Sequence, residues 1–143
     1  PEYLATSQED ITNFSEWTIP LGRRFRALKL WFLMRSYGLE GLRTRLRNHV
    51  NWAQELCERI RETPGFVITS EPVLSLFSFR CAGDDKTQQQ LVDAINDDGR
   101  IYLTQGVWQD QKVIRFQVGQ FDTTREDVTL AHAVIKEVYA SMP

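Results

Sequence analysis

At 143 residues, with 42% hydrophobic and 25% charged side chains, the chain has the size and balance of one globular domain with a real core. A formal net charge of −2 is the wrong sign for a non-specific nucleic-acid binder. Two scattered cysteines, Cys57 and Cys81, suit neither a disulfide framework nor a zinc site and fit a reducing, cytoplasmic setting.

The charge is uneven. Residues 1–62 carry ten Lys/Arg against eight Asp/Glu, and residues 63–143 carry seven against eleven. The longest apolar run, Leu30 to Met34, is far short of the ~20 residues that span a bilayer, so no membrane partner is expected. The first fourteen residues are too polar for a secretory leader. The sequence opens on Pro1 rather than Met, which suggests a fragment or a processed product.

In chain order, residues 1–18 are polar and pattern-free, and read as a loop that closes at Pro20. Residues 23–36 form a helix that is apolar nearly all round, so burial is expected. Gly38 ends it. A longer helix follows over about 39–62, with Leu39, Leu42, Leu46, Ala53, Leu56, Cys57 and Ile60 at helical spacing. "TPGF" at 63–66 stops it. The period then turns strand-like in "FVITS" and "VLSLFSFR", divided at Glu71-Pro72. "KTQQQLVDAINDDG" is a helix with Leu91, Ala94 and Ile95 as its apolar stripe. "IYLTQGVW" and "KVIRFQVG" are two strands joined by "QDQ". A last helix begins at "TTREDV", where Thr123 and Glu126 have capping-box spacing, and its apolar line is Val128, Ala131, Ile135, Val138 and Tyr139. The order α-α-β-β-α-β-β-α describes an α+β fold, a mostly antiparallel sheet with helices packed on one side.

Few residues carry chemistry. His49 and His132 lie on different helices without neighbours at ligand spacing, so metal binding is not expected. Ser75 and Ser78 have no partner that marks a nucleophile, and no glycine-rich phosphate loop occurs. Within "KVIRFQV", alternation sends Ile114, Phe116 and Val118 to one face and Val113, Arg115 and Gln117 to the other. A lone strand arginine is usually a surface group or paired with a carboxylate; binding a ligand carboxylate is the sharper alternative. Arg23, Arg24 and Arg26 follow Gly22 at a helix start. That layout suits either an anion site or arginine stems lying over apolar surface, and chemistry alone leaves both open.

The stretch "EWTIPLGRRFRALKLWFLMRSYGLEGLRTRLRNHV", continued by "GFVITSEPVLSLFSFR", "KVIRF" and the spacing at 121–128, resembles the group II pyridoxal-phosphate-dependent decarboxylases. The likeness covers essentially the whole chain and is greatest to the aromatic-L-amino-acid and histidine decarboxylases. It implies the C-terminal portion of a fold type I, aspartate-aminotransferase-like enzyme, active as a homodimer with its sites at the subunit interface. Residues 1–21 would be the end of an active-site lid loop and linker, 22–62 the connecting helices, and 63–143 the small C-terminal α+β domain. The implied reaction takes an aromatic L-amino acid to its amine and carbon dioxide with pyridoxal 5'-phosphate as cofactor.

The resemblance also assigns residues. "PEYL" at 1–4 matches a mobile-loop motif whose tyrosine supports proton return, which makes Tyr3 the catalytic residue. "PLGRR" places Gly22 and Arg24 at the cofactor edge, with Gly22 also shaping the substrate pocket, where histidine-specific relatives carry Ser. Arg115 matches a strand arginine that meets a substrate carboxylate in glutamate-type members. The family's Schiff-base lysine, in a "H-K-W" type motif, is absent: none of Lys29, Lys86, Lys112 and Lys136 follows a histidine. This chain alone is therefore not expected to catalyse. Histidine or glutamate as substrate, an aldehyde synthase (against which Tyr3 argues), and a non-catalytic binding or regulatory module of the same fold are the alternatives.

Overall fold

In the computed structural model the described residues are 24–142. Tyr3, Gly22 and Arg23 lie outside them. Two compact units divide the chain, residues 1–42 and 43–143.

Helix α1 (Ala27–Arg61) contains non-helical backbone at Gly38, with φ 67° and ψ 162°. That is the break expected there, since a positive φ suits a residue without Cβ. In the first unit the apolar run is not buried as expected. Phe25 is 74% exposed and Trp31 51%, and Leu30, Phe32, Tyr37 and Leu39 are also exposed. Apolar composition identifies a surface that gains by being covered but does not say what covers it.

In the second unit, β1 (Phe66–Val73), β2 (Leu76–Cys81), β3 (Thr104–Trp108) and β4 (Gln111–Gln117) form one antiparallel sheet in the order β1-β2-β4-β3. Helix α2 (Asp85–Asp98) joins β2 to β3, which lies beyond β4, and α3 (Arg125–Ser141) follows the sheet. One sheet face presents Phe77, Phe79, Ile114 and Phe116 to a single core with Ala53, Leu56 and Ile60 of α1, Leu91 and Ile95 of α2, and Val134 and Ile135 of α3. Fully burying an aromatic or aliphatic side chain of this kind contributes about 2–3 kcal/mol. The helices thus share one face, as the residue pattern predicts. On α1, Ala53, Leu56, Cys57 and Ile60 are buried as expected, whereas Leu46 is exposed.

Three local expectations are corrected. Glu71-Pro72 does not separate strands: β1 runs through it with register irregularities, and the chain turns at Leu74-Ser75, with Leu74 at φ 55°. Proline is tolerated because β1 is an edge strand, where a missing N–H breaks no ladder. The second hairpin turns on two residues, Gln109 and Asp110, both at positive φ, which matches the twist of its strands. The capping box of α3 is Thr124 with Asp127, one position later than Thr123 with Glu126. Asp127 accepts from the Thr124 N–H at 2.8 Å and from its hydroxyl at 2.9 Å.

Candidate functional site

Arg115 stands in the middle of β4 on the sheet face opposite the core. Its cross-strand neighbours are Ser78 on β2 and Thr104 on β3, both small and uncharged. Its side chain is exposed and, among the described residues, makes no hydrogen bond or ion pair, its backbone being taken up in the ladders to β2 and β3. Arg80, one strand over, differs: its side chain is 14% exposed and bonds Asp85 at 2.8 Å as well as the Lys112 carbonyl. Asp85 also accepts from the Lys112 N–H at 3.1 Å, and these contacts hold its carboxyl below the usual carboxylate range, the Arg80 hydrogen bond most of all. Arg80 is a clasp between β2, α2 and β4, whereas Arg115 is an unspent cation on a surface of small residues.

Gly106 explains how the Arg115 stem lies. A Cβ built on Gly106 would stand 3.0 Å from Arg115 Cδ, 3.5 Å from its Cγ and 3.8 Å from Val113 Cγ2. The stem therefore runs diagonally across β3. Val113, on the same face, is 3% exposed and stands apart from the main core.

Arg24, in the other unit, is exposed and precedes α1, and its carbonyl accepts from the Arg26 N–H at 2.7 Å. A guanidinium there suits an anion such as a phosphate. The lysines do not suit a Schiff base. Lys29, Lys86 and Lys136 are exposed, and Lys112 is half-buried with its ammonium bonded to Gln89 at 3.1 Å. An imine-forming amine sits in a desolvated pocket, and none of the four is enclosed in that way. Tyr3 and Gly22 lie outside the described residues.

Other polar groups are structural. Gln88 on α2 is fully buried. It accepts from the Cys81 N–H at 2.8 Å and donates to the Cys81 carbonyl at 2.9 Å, completing the end of β2. Asn96 does the same for Leu103, at 2.8 and 3.1 Å. Gln88 could have been found in the sequence, because it falls with Leu91, Val92 and Ile95 on one helical stripe and a polar residue there must find partners. A groove of about 630 Å³ lies between the end of α2 and the start of α3, bordered by Asn96, Arg100, Tyr102, Gln117 and Asp122. No residue expected at the site lines it, and its Arg100 is already held by Asp98 and Glu137 at 2.7 and 2.8 Å. Among the described residues no group of three His, Cys, Asp or Glu could hold a metal, and no helix is long and apolar enough to cross a membrane.

The fold is that of the small α+β domain of fold type I pyridoxal-phosphate enzymes. Residues 1–82 match the pyridoxal-dependent decarboxylase conserved domain, and the chain belongs to that family. It is 37% identical to the aromatic-L-amino-acid decarboxylase of Rattus norvegicus over 99% of its own length, which is 30% of that relative. It is 35% identical to tyrosine decarboxylase 2 of Narcissus pseudonarcissus over 96% of its length, 29% of that relative. The crystal structure of Oryza sativa TDC with PLP and tryptamine superposes with a TM-score of 0.84 at 28% identity, over 92% of this chain and 30% of that one. The chain thus spans about a third of the length of the relatives it matches.

Proposed function

We propose that the chain is the C-terminal part of a homodimeric carboxy-lyase that converts an aromatic L-amino acid to its amine and carbon dioxide. The observation that carries this reading is the similarity to aromatic-L-amino-acid and tyrosine decarboxylases across nearly the whole chain. Pyridoxal phosphate, when bound, supplies the electron sink for loss of the carboxylate. Gly22 and Arg24 border the cofactor, Arg24 as a cation for its phosphate and Gly22 as a gap that admits a wide ring. Arg115 meets a substrate carboxylate; the absence of a side-chain partner among the described residues supports that role. Tyr3 holds a proton at its phenol oxygen for delivery to the substrate α-carbon after carbon dioxide leaves.

The test uses the full-length protein reconstituted with pyridoxal phosphate and supplied with an aromatic L-amino acid. Carbon dioxide and amine are expected in equal amounts. Tyr3→Phe is expected to retain substrate binding while diverting product, with dissolved dioxygen as the two-electron oxidant, from amine toward aldehyde, ammonia and hydrogen peroxide, because the α-carbon loses its proton donor. Absence of carbon dioxide release from the reconstituted parent would overturn the enzyme reading. An unchanged amine yield in Tyr3→Phe would remove Tyr3 from the mechanism.

A further inference from the structure

We infer that Gly106 is a positioning residue for Arg115: lacking a side chain, it lets the arginine stem lie across β3 and so fixes where the guanidinium stands. This rests on the reading of Arg115 as the partner of a substrate carboxylate. Arg115 sits opposite Thr104, and Gly106 sits two residues further along β3, opposite Val113, on the same face. Diagonal neighbours in a sheet are within reach of a long side chain. Carbon atoms pack at about 3.5–4.0 Å, so a methyl group at 106, only 3.0 Å from Arg115 Cδ, overlaps the stem.

Which group yields is decided by the surroundings. Gly106 does not have positive φ, so alanine meets no backbone strain there. Val113 is buried and makes only ordinary contact at 3.8 Å. The Arg115 side chain is exposed and has no partner among the described residues, so its stem moves and the guanidinium moves with it. Glycine inside a strand weakens it, so the fold alone favours a side chain at this position. The path of Arg115 supplies a reason for its absence.

The experiment measures binding to the full-length protein by calorimetry, with 3-phenylpropanoate as a carboxylate probe and phenethylamine as a probe without one. Parent, Gly106→Ala, Arg115→Gln and the double variant are compared, with thermal melting of each. Arg115→Gln is expected to weaken 3-phenylpropanoate ~10-fold, in line with loss of a charge-assisted hydrogen bond, and to leave phenethylamine unchanged. Gly106→Ala is expected to weaken the carboxylate probe ~3-fold or more when Arg115 is present and not at all when Gln is at 115, since the effect runs through the arginine. Its melting temperature should be equal to or above the parent's. If Arg115→Gln leaves 3-phenylpropanoate binding unchanged, the carboxylate role itself falls. If Arg115→Gln weakens binding but Gly106→Ala does not, or weakens it equally in both backgrounds, Arg115 keeps its role and the positioning role of Gly106 is overturned.

Discussion

Under the proposed function, Gly22 and Arg115 act on specificity in opposite ways, one by absence of bulk and one by charge. At Gly22, serine replaces a hydrogen with a hydroxymethyl group beside the proposed cofactor edge. We predict that Gly22→Ser lowers kcat/KM for L-tryptophan by ~10²-fold while sparing L-histidine, because a displaced wide ring loses its reacting geometry. Both substrates are assayed on both variants of the full-length protein. A parallel fall for the two would mean that Gly22 serves its backbone conformation rather than the pocket. Arg115 could be placed on the correct sheet face from alternation alone, because Ile114 and Phe116 had to face the core. That it has no carboxylate partner among the described residues could not be read. Cross-strand register brings Ser78 and Thr104 beside it, and register is a tertiary fact.

The elements follow from periodicity, and the corrections fall at their ends. For α3 the spacing in the sequence points to Thr123 with Glu126, and the structure forms Thr124 with Asp127. Extended backbone at Thr124 and its reciprocal bonds with Asp127 select the second. Thr124→Ala should therefore destabilise the domain by about 1 kcal/mol in urea unfolding, whereas Thr123→Ala should change it by a few tenths at most. The reverse ranking would restore the earlier register. Asp127 is held below the usual carboxylate range chiefly by the Thr124 backbone N–H, so this cap operates throughout the neutral range. At β1 the signal of Glu71-Pro72 misleads for a definable reason. Proline marks a strand boundary only where its N–H would be needed, and an edge strand has one side with no ladder.

Across the whole domain, two histidines link stability to pH. His49 is 5% exposed with Nε2 unpartnered, and burial, then the Arg45 charge, lowers its pKa below 6.5. His132 Nε2 lies 3.1 Å from Thr63 Oγ1, whose own proton goes to the Arg59 carbonyl at 2.7 Å, so His132 donates in this pair. Burial first, then Lys136 and Arg59, lowers its pKa too. A depressed folded-state pKa means that the unfolded chain binds protons first as pH falls. The stability of the neutral histidines is therefore fully present above about pH 6.5 and declines as pH drops below it through the folded values. Asp85, Asp98 and Asp127, whose pKa values are also lowered, keep their contribution until the pH falls below the ordinary carboxylate value. The urea midpoint should fall between pH 7 and 5, and the fall should shrink in a His49→Gln, His132→Gln double variant. A midpoint that is flat over this range in the parent would contradict the assignment.

The sequence by itself determined the element order, the apolar stripes of α2 and α3, the core face of β4, and the likeness to the decarboxylase family. These depend on spacing along the chain, which periodic backbones convert directly into faces. The tertiary structure alone decided the strand order β1-β2-β4-β3, the pairing of Arg80, the lack of a side-chain partner for Arg115 among the described residues, and the path of the arginine stem over Gly106. It also decided that the apolar run at 25–39 stands exposed among the described residues. Contacts between residues distant in sequence depend on register and on what packs against each face, and neither quantity is encoded in local spacing.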